Sequence, residues 1–160
     1  MIFATLLEPG IFKSALVAYA HYLCIFLCFS ALMYERLRLK VDLNRGEAIS
    51  IILADIVYGL AGLMIILTGI LRVRYFGQGA EFYTQNPLFW LKVGAYIAVG
   101  LLSLYPTISY ILWAIPLSKN NLPNLSPDLV SRFRLIINIE LLGFSLIPLL
   151  ATFMARGIGL

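Results

Sequence analysis

Four apolar segments constrain this chain more than any other feature of its sequence. They run from about Phe12 to Tyr34, Ala48 to Leu71, Leu88 to Trp113 and Leu135 to Ala155. Each has about the 20 residues that a helix needs to cross roughly 30 Å of hydrocarbon. Because lipid offers backbone groups no hydrogen-bond partner, each segment must form a helix. Short connections favour antiparallel neighbours, so we predict one domain (1–160), an all-α antiparallel bundle of four transmembrane helices.

The composition also indicates a membrane protein. Hydrophobic residues make up 61% of the chain and charged residues 12%, with a mean hydropathy of +0.92. A soluble domain has about 45–50% apolar and about 25% charged residues. The net charge of +4 does not indicate a nucleic-acid partner, because the basic residues lie mostly at segment ends, where they can meet lipid phosphates.

The basic residues divide unequally between the two sides of the membrane. Arg36, Arg38, Lys40, Arg45, Lys119, Arg132 and Arg134 lie on one side, and Lys13, Arg72, Arg74, Lys92 and Arg156 lie on the other. Because cytoplasmic loops carry the excess of Lys and Arg, we expect both termini on the non-cytoplasmic side of a bacterial-type inner membrane.

Two carboxylates, Asp55 and Glu140, lie inside these apolar segments. A carboxylate at membrane depth costs roughly 2.5–3.5 kcal/mol on insertion scales, so it normally faces a partner, water or a ligand. Either the two residues are hydrogen-bond anchors between helices, or they carry protons, because burial favours the neutral form of a carboxyl group. Tyr58, on the same face as Asp55, is a packed aromatic or the third member of such a site.

His21 is the only histidine of the chain. It is a buried imidazole bonded across helices, an axial ligand of haem iron, or a proton relay. As an iron ligand it would leave the sixth position to Met64, a thiolate, water or a second protomer. Arg72 is a snorkelling end charge or, together with Lys92, holds the propionates of a tetrapyrrole.

On the first helix, polar residues recur every seven positions at Ser14, His21, Cys28 and Glu35. This spacing places them along one face, which we expect to point into the bundle. Glu35 is expected to form an ion pair with Arg36 at the membrane interface.

A depth estimate from a rise of about 1.5 Å per residue brings three of these groups together. It predicts one belt of His21, Asp55 and Glu140 near mid-membrane, beneath a basic cluster that includes Arg72 and Lys92.

The fourth helix carries polar residues on two faces. Arg134 and Asn138 lie roughly 120–200° from Glu140 around the helix, so one bundle core cannot easily accommodate both faces. One of them could meet a second protomer.

Signatures of soluble enzymes are absent from the sequence. It contains no P-loop, no G-x-S-x-G, no H-E-x-x-H and no C-x-x-C, and one histidine excludes a multi-histidine zinc site. Cys24 and Cys28 are packing residues or a metal or redox pair.

Five stretches carry a family resemblance: Ala20-His21-Tyr22-Leu23, Asp55-Ile56-Val57-Tyr58-Gly59, Thr68-Gly69-Ile70-Leu71-Arg72-Val73, Asn86-Pro87-Leu88-Phe89-Trp90-Leu91-Lys92 and Met154-Ala155-Arg156-Gly157-Ile158-Gly159. Over nearly its whole length the chain resembles a bacterial family of predicted four-helix integral membrane proteins of unknown function. This resemblance implies fold and membrane location, but no activity.

More distantly, the chain is similar to HemJ-type protoporphyrinogen oxidases and copper-resistance D-type membrane proteins. These are small helical proteins with a first-helix histidine, which His21 matches. The HemJ type also has a third-helix lysine after a tryptophan, as in Trp90-x-Lys92, and binds b-type haem. The resemblance implies haem b at His21, whereas the additional histidines of those families are absent here.

Three functional hypotheses follow. The first is a membrane protein that binds b-type haem or another tetrapyrrole and, if it is an enzyme, acts as an oxidoreductase. The second is a proton-coupled or ion-conducting oligomer. The third is a structural or assembly subunit of a larger membrane complex.

Overall fold

The computed structural model describes residues 9–159 and contains four long helices. They are α1 (Pro9–Arg38), α2 (Arg45–Leu71), α3 (Pro87–Ser118) and α4 (Pro127–Ala155). α2 continues into a π-helical turn, Arg72–Phe76, and a short helix, Ala80–Thr84, precedes α3. All four long helices are long and apolar enough to cross a membrane, and the part of the chain that the structure describes has no strand. The predicted all-α fold with four spans is confirmed.

The helices extend beyond the predicted apolar segments, most of all at the start of α4. Apolar composition marks only the part of a helix that lies in hydrocarbon, whereas capping groups decide where the helix begins. Asn44 caps α2 by accepting from the Glu47 backbone N–H at 2.9 Å, and Glu47 accepts from the Asn44 N–H at 2.9 Å. Asn86 caps α3 and Ser126 caps α4, each directly before a proline.

The helices form a closed ring in which each packs against the next and α4 packs against α1. We call the end that holds Pro9, Phe76, Pro87 and Ala155 the terminal end, and the opposite end the distal end. α3 and α4 approach closely at Gly143, where an added Cβ would overlap the side chain of Val99. Glycine is therefore required at this crossing.

The face predicted for α1 points into the bundle. Cys28 and Glu35 are buried, whereas Ser14 and His21 nearer the terminal end are half-buried. On α3, Ser103, Pro106, Tyr110 and Trp113 are buried. Polar groups from these faces therefore meet in the interior, and large apolar residues such as Phe26 face outward.

Candidate functional site

Three carboxyl groups from three different helices lie in the interior of the bundle. Glu35 of α1 is 1% exposed, Asp55 of α2 is 7% exposed and Glu140 of α4 is 0% exposed. Glu35 lies within electrostatic range of both other carboxyl groups. α3 completes the group with Thr107, which contacts Asp55, and with Tyr110, which lies beside Glu35. We call these five residues the carboxyl cluster.

The cluster is poor in hydrogen bonds. The Thr107 hydroxyl donates to Asp55 Oδ1 at 2.7 Å. In contrast, both oxygens of Glu140 and Oε1 of Glu35 are buried without a hydrogen-bond partner among the described residues, and the Tyr110 hydroxyl lies close to Glu35 without a well-aligned hydrogen bond to it. A buried polar group without a partner costs about 1–3 kcal/mol. The fold therefore keeps these groups at a cost in stability.

Among the described residues, no cation is paired with the cluster. Within residues 9–159, the only ion pair joins Lys40 to Glu47 at 2.7 Å. Two arginines of α1 and α4 bond elsewhere: Arg36 Nε donates to Asn138 Oδ1 at 2.8 Å and Arg134 Nη2 donates to the Leu39 carbonyl at 2.6 Å, whereas Arg134 Nε is buried without a partner in the described part of the chain. Three carboxylate charges without a cation are unfavourable in an apolar interior, so electroneutrality requires protons or a bound cation.

A multidentate metal site does not explain the cluster. No group of three His, Cys, Asp or Glu side chains within the described part of the chain is arranged to hold a metal ion. Protons, which need no converging ligands, are the simpler neutralising species for carboxyl groups without partners.

Tyr58 borders the cluster on the side of the terminal end. Its side chain is buried, its hydroxyl lies within electrostatic range of Glu140, and its ring packs edge-on against Phe144 at 5.9 Å between centroids. Its backbone carbonyl accepts from Cys28 Sγ at 3.6 Å. The structure thus places Tyr58 beside Asp55 and Glu140, the two residues predicted to handle protons.

His21 lies at a second polar site, nearer the terminal end. Its Nδ1 is 2.8 Å from the Thr68 hydroxyl, and that hydroxyl lies 2.6 Å from the Met64 carbonyl. Because the carbonyl can only accept, Thr68 donates to it and accepts from His21 Nδ1–H. This assignment, made from the hydrogen-bond network, leaves the free lone pair of the imidazole on Nε2.

Two cations lie near this imidazole. The charges of Arg72 and Lys92 both act on His21. The Arg72 guanidinium lies 5.1 Å from the centroid of the Tyr22 ring, and Lys92 Nζ lies 5.2 Å from the centroid of the Phe89 ring. The predicted basic group around His21 is thus present, with each cation placed over an aromatic ring.

One comparison with known proteins identifies the family. The model of a family described as predicted membrane protein, DUF2214, matches residues 13–159. The chain belongs to this family. No curated protein and no solved structure matches it. Membership of DUF2214 confirms the predicted resemblance to a membrane family of unknown function.

The prediction that His21, Asp55 and Glu140 lie in a single belt is wrong for this DUF2214 protein. Thr68, the partner of His21, and Asp55 are thirteen residues apart on α2, which corresponds to about 20 Å along the helix axis. The depth estimate measured each residue from the middle of its own apolar segment. The helices extend unequally beyond those segments, so residues of equal estimated depth do not lie at one level.

Met64 contributes only its backbone carbonyl to the His21 site. Its side chain is 42% exposed on the outer surface of the bundle. The sixth-ligand role predicted for Met64 therefore has no support in its placement.

Of the two polar faces of α4, the face that holds Glu140 points into the bundle. The core face holds Phe133, Ile137, Glu140 and Phe144, whereas Asn138 lies on the exposed face and is bonded to Arg36. Glu140 therefore points into its own bundle, and the second polar face of α4 bonds to α1, through Asn138 to Arg36 and through Arg134 to the Leu39 carbonyl.

Glu35 is the functional candidate whose role the sequence did not reveal. We predicted an ion pair with Arg36, but neighbouring residues on a helix point about 100° apart, so Glu35 turns inward while Arg36 follows the surface. The seven-residue spacing from His21 and Cys28 was the signal that placed Glu35 on the interior face. Thr107 was not singled out, because a threonine beside a helix proline carries no distinctive pattern.

Proposed function

We propose that this DUF2214 protein reversibly binds protons within the membrane at the carboxyl cluster, as a proton-coupled membrane protein. The observation that carries the proposal is Glu140, which is completely buried with neither oxygen hydrogen-bonded. Two further acids share its interior, and within residues 9–159 no cation is paired with any of the three.

The side chains of the cluster suit the transfer of protons. A protonated carboxyl group both donates and accepts hydrogen bonds, and a hydroxyl group does the same. Tyr110, beside Glu35, can therefore pass a proton without holding a charge. Asp55 is the best placed to carry the remaining negative charge, because Thr107 donates to it at 2.7 Å.

The sequence also supports an orientation for this proton site. Seven of the twelve Lys and Arg residues lie at the distal end, and this excess favours a cytoplasmic location for that end in a bacterial-type cell. Asp55 is ten residues from the distal start of α2 and twenty-one from Phe76. The carboxyl cluster would then lie in the cytoplasmic half of the membrane.

Acid–base titration of the protein in lipid nanodiscs tests the proposal. The wild type should release more protons per chain between neutral and alkaline pH than Glu35→Gln combined with Glu140→Gln. Glu81→Gln is the matched control, because Glu81 is exposed on the short helix Ala80–Thr84, outside the carboxyl cluster, so its loss should leave this release unchanged. Equal release by the wild type and the double variant would refute the proposal.

A second candidate function is the binding of b-type haem or another tetrapyrrole through His21. It is favoured by the bond between Nδ1 and Thr68, because histidines that bind metal through one ring nitrogen usually donate the other N–H to a fixed acceptor. His21 Nε2 would meet the iron, and Arg72 and Lys92 would meet the propionates. When bound, such a group supplies one-electron redox chemistry.

The residues around His21 suit a tetrapyrrole through their chemistry, with an imidazole nitrogen for the iron and two cations for the propionates. Of the depressions on the described surface, one lies between α1 and the π-helical turn and another lies between the two distal loops. Neither is lined by His21. A Soret band that appears on reconstitution with haem and is lost in His21→Phe would support this second function. Reconstituted wild type without that band would contradict it.

A further inference from the structure

Along the bundle axis, the carboxyl cluster has apolar side chains on its distal side and polar side chains on its terminal side. Toward the distal end, every helix places an apolar side chain next to it. These side chains, which we call the distal seal, are Leu39, Ile51, Trp113 and Phe133, all buried. The rings of Trp113 and Phe133 pack together at 6.1 Å between centroids, and both pack on Tyr110.

The distal loops reinforce this seal. Leu43 and Leu125, one from each loop, are buried in the same apolar core. A layer of buried apolar side chains excludes water, because water needs several polar partners in order to remain in a protein interior. Apart from Arg134, whose guanidinium donates to the Leu39 carbonyl, the side chains named at this boundary offer water and protons few hydrogen-bond partners.

Toward the terminal end, polar side chains continue from the cluster. We call Cys28, Tyr58, Ser103, Tyr96 and His21 the polar ladder. Cys28 Sγ donates to the backbone carbonyl of Tyr58 at 3.6 Å, and the Tyr58 hydroxyl is near Ser103. The Tyr96 hydroxyl donates to the Gly62 carbonyl at 2.7 Å.

The ladder is regularly spaced along α3. Tyr96, Ser103 and Tyr110 follow one another at seven-residue intervals, or about 10 Å per interval. Small residues let α2 pack closely against the ladder, since an added Cβ at Gly62 would lie 3.3 Å from the Tyr96 hydroxyl and one at Gly69 would lie 3.5 Å from His21 Cε1. Hydroxyl, thiol and imidazole groups can each donate and accept a hydrogen bond, so each of them can pass on a proton.

We propose that protons enter and leave the carboxyl cluster only from the terminal end, along the polar ladder, while the distal seal closes the other side. This inference rests on the proposed function, and it makes the cluster a one-sided proton-binding site. Protons move between water and the oxygens of the cluster, with no change in oxidation state.

Thiol labelling from each side of the membrane tests the direction of access. Cys24 and Cys28 are the only cysteines of the chain, so Cys24→Ala leaves Cys28 as a native reporter on the ladder. Leu39→Cys, in a chain with Cys24→Ala and Cys28→Ala, places the matched reporter in the distal seal. The probe is Ag⁺, a membrane-impermeant ion close in size to a water molecule, so it can follow a path that admits water to the buried Cys28. The thiol binds Ag⁺ through its sulfur and releases its proton, and the thiols that remain unreacted are counted after unfolding.

Vesicles of uniform orientation, identified by a tag at the N terminus, define the two sides. Cys28 should react with reagent applied on the side of the termini and resist reagent applied on the other side. Leu39→Cys should resist reagent applied on the side of the termini. Labelling of Cys28 from the distal side, or from neither side, would overturn the inference.

The kinetics of proton release provide a second test that separates the two proposals. Ser103→Ala should slow proton release after a pH jump, whereas Ser103→Thr, which retains the hydroxyl, should preserve the rate. The number of protons released should be unchanged in both variants, because that number tests the carboxyl cluster itself. An unchanged rate in Ser103→Ala would contradict the route while leaving the cluster intact.

Discussion

Replacement of Glu140 by methionine should stabilise the protein. Both carboxyl oxygens of Glu140 are buried without a partner, and an unsatisfied buried polar group costs about 1–3 kcal/mol. Methionine is unbranched and apolar and adapts to irregular interiors, so Glu140→Met removes this cost and fills most of the same space. We therefore expect the free energy of unfolding to rise by about 1–3 kcal/mol.

Asp55→Val, in the same cluster, should have the opposite effect on stability. Asp55 accepts from Thr107 at 2.7 Å, so an apolar residue of similar shape leaves the Thr107 hydroxyl without its acceptor. This variant should lose about 1–2 kcal/mol. The two substitutions both remove a buried carboxyl group, but their effects on stability should have opposite signs.

Equilibrium unfolding in mixed detergent micelles, followed by far-UV circular dichroism, measures both variants. A decrease in stability for Glu140→Met would refute the reasoning, because it would mean that the Glu140 oxygens have partners in the folded protein. The same variant should also lose proton release in the nanodisc titration, so that the gain in stability accompanies a loss of function.

Three further predictions concern packing, capping and the His21 site. Gly143→Ala should destabilise the bundle by about 1–3 kcal/mol because its methyl group overlaps α3, whereas Gly100→Ala, in open space, should be nearly neutral in the same unfolding assay. Asn44→Ala removes the cap of α2 and should lower the free energy of unfolding by about 1 kcal/mol; unchanged stability would contradict the capping assignment. Thr68→Val removes the acceptor of His21 Nδ1–H, so the nitrogen NMR signals of the imidazole should show a mixture of tautomers, whereas retention of a single tautomer would show that Thr68 does not fix the ring.

Much of the fold could be predicted from the sequence, because hydrocarbon admits few structures. Runs of about 20 apolar residues have to be helical there, and the Asn86-Pro87 and Ser126-Pro127 pairs indicated where two helices begin. The start of α4 was placed too late because Arg132 and Arg134 lower the local hydropathy. A helix does not end where the hydrocarbon ends, so composition alone underestimates its length.

The candidate site was predictable in part. Asp55 and Glu140 stood out because carboxylates are rare at membrane depth. The pairing of Asp55 with Thr107 depends on how α2 and α3 are offset, which no pattern within one helix records. The missing partners of Glu140 are a property of the assembled interior, and they became visible only when all four helices were in place.

The protonation state of the buried acids can be observed by infrared spectroscopy of the protein in lipid at neutral pH, recorded in H2O and in D2O. Wild-type protein should show carboxylic-acid C=O bands that shift in D2O, and Glu35→Gln and Glu140→Gln should each remove part of that signal. A spectrum in which every carboxyl group absorbs as a carboxylate would contradict a proton-binding interior.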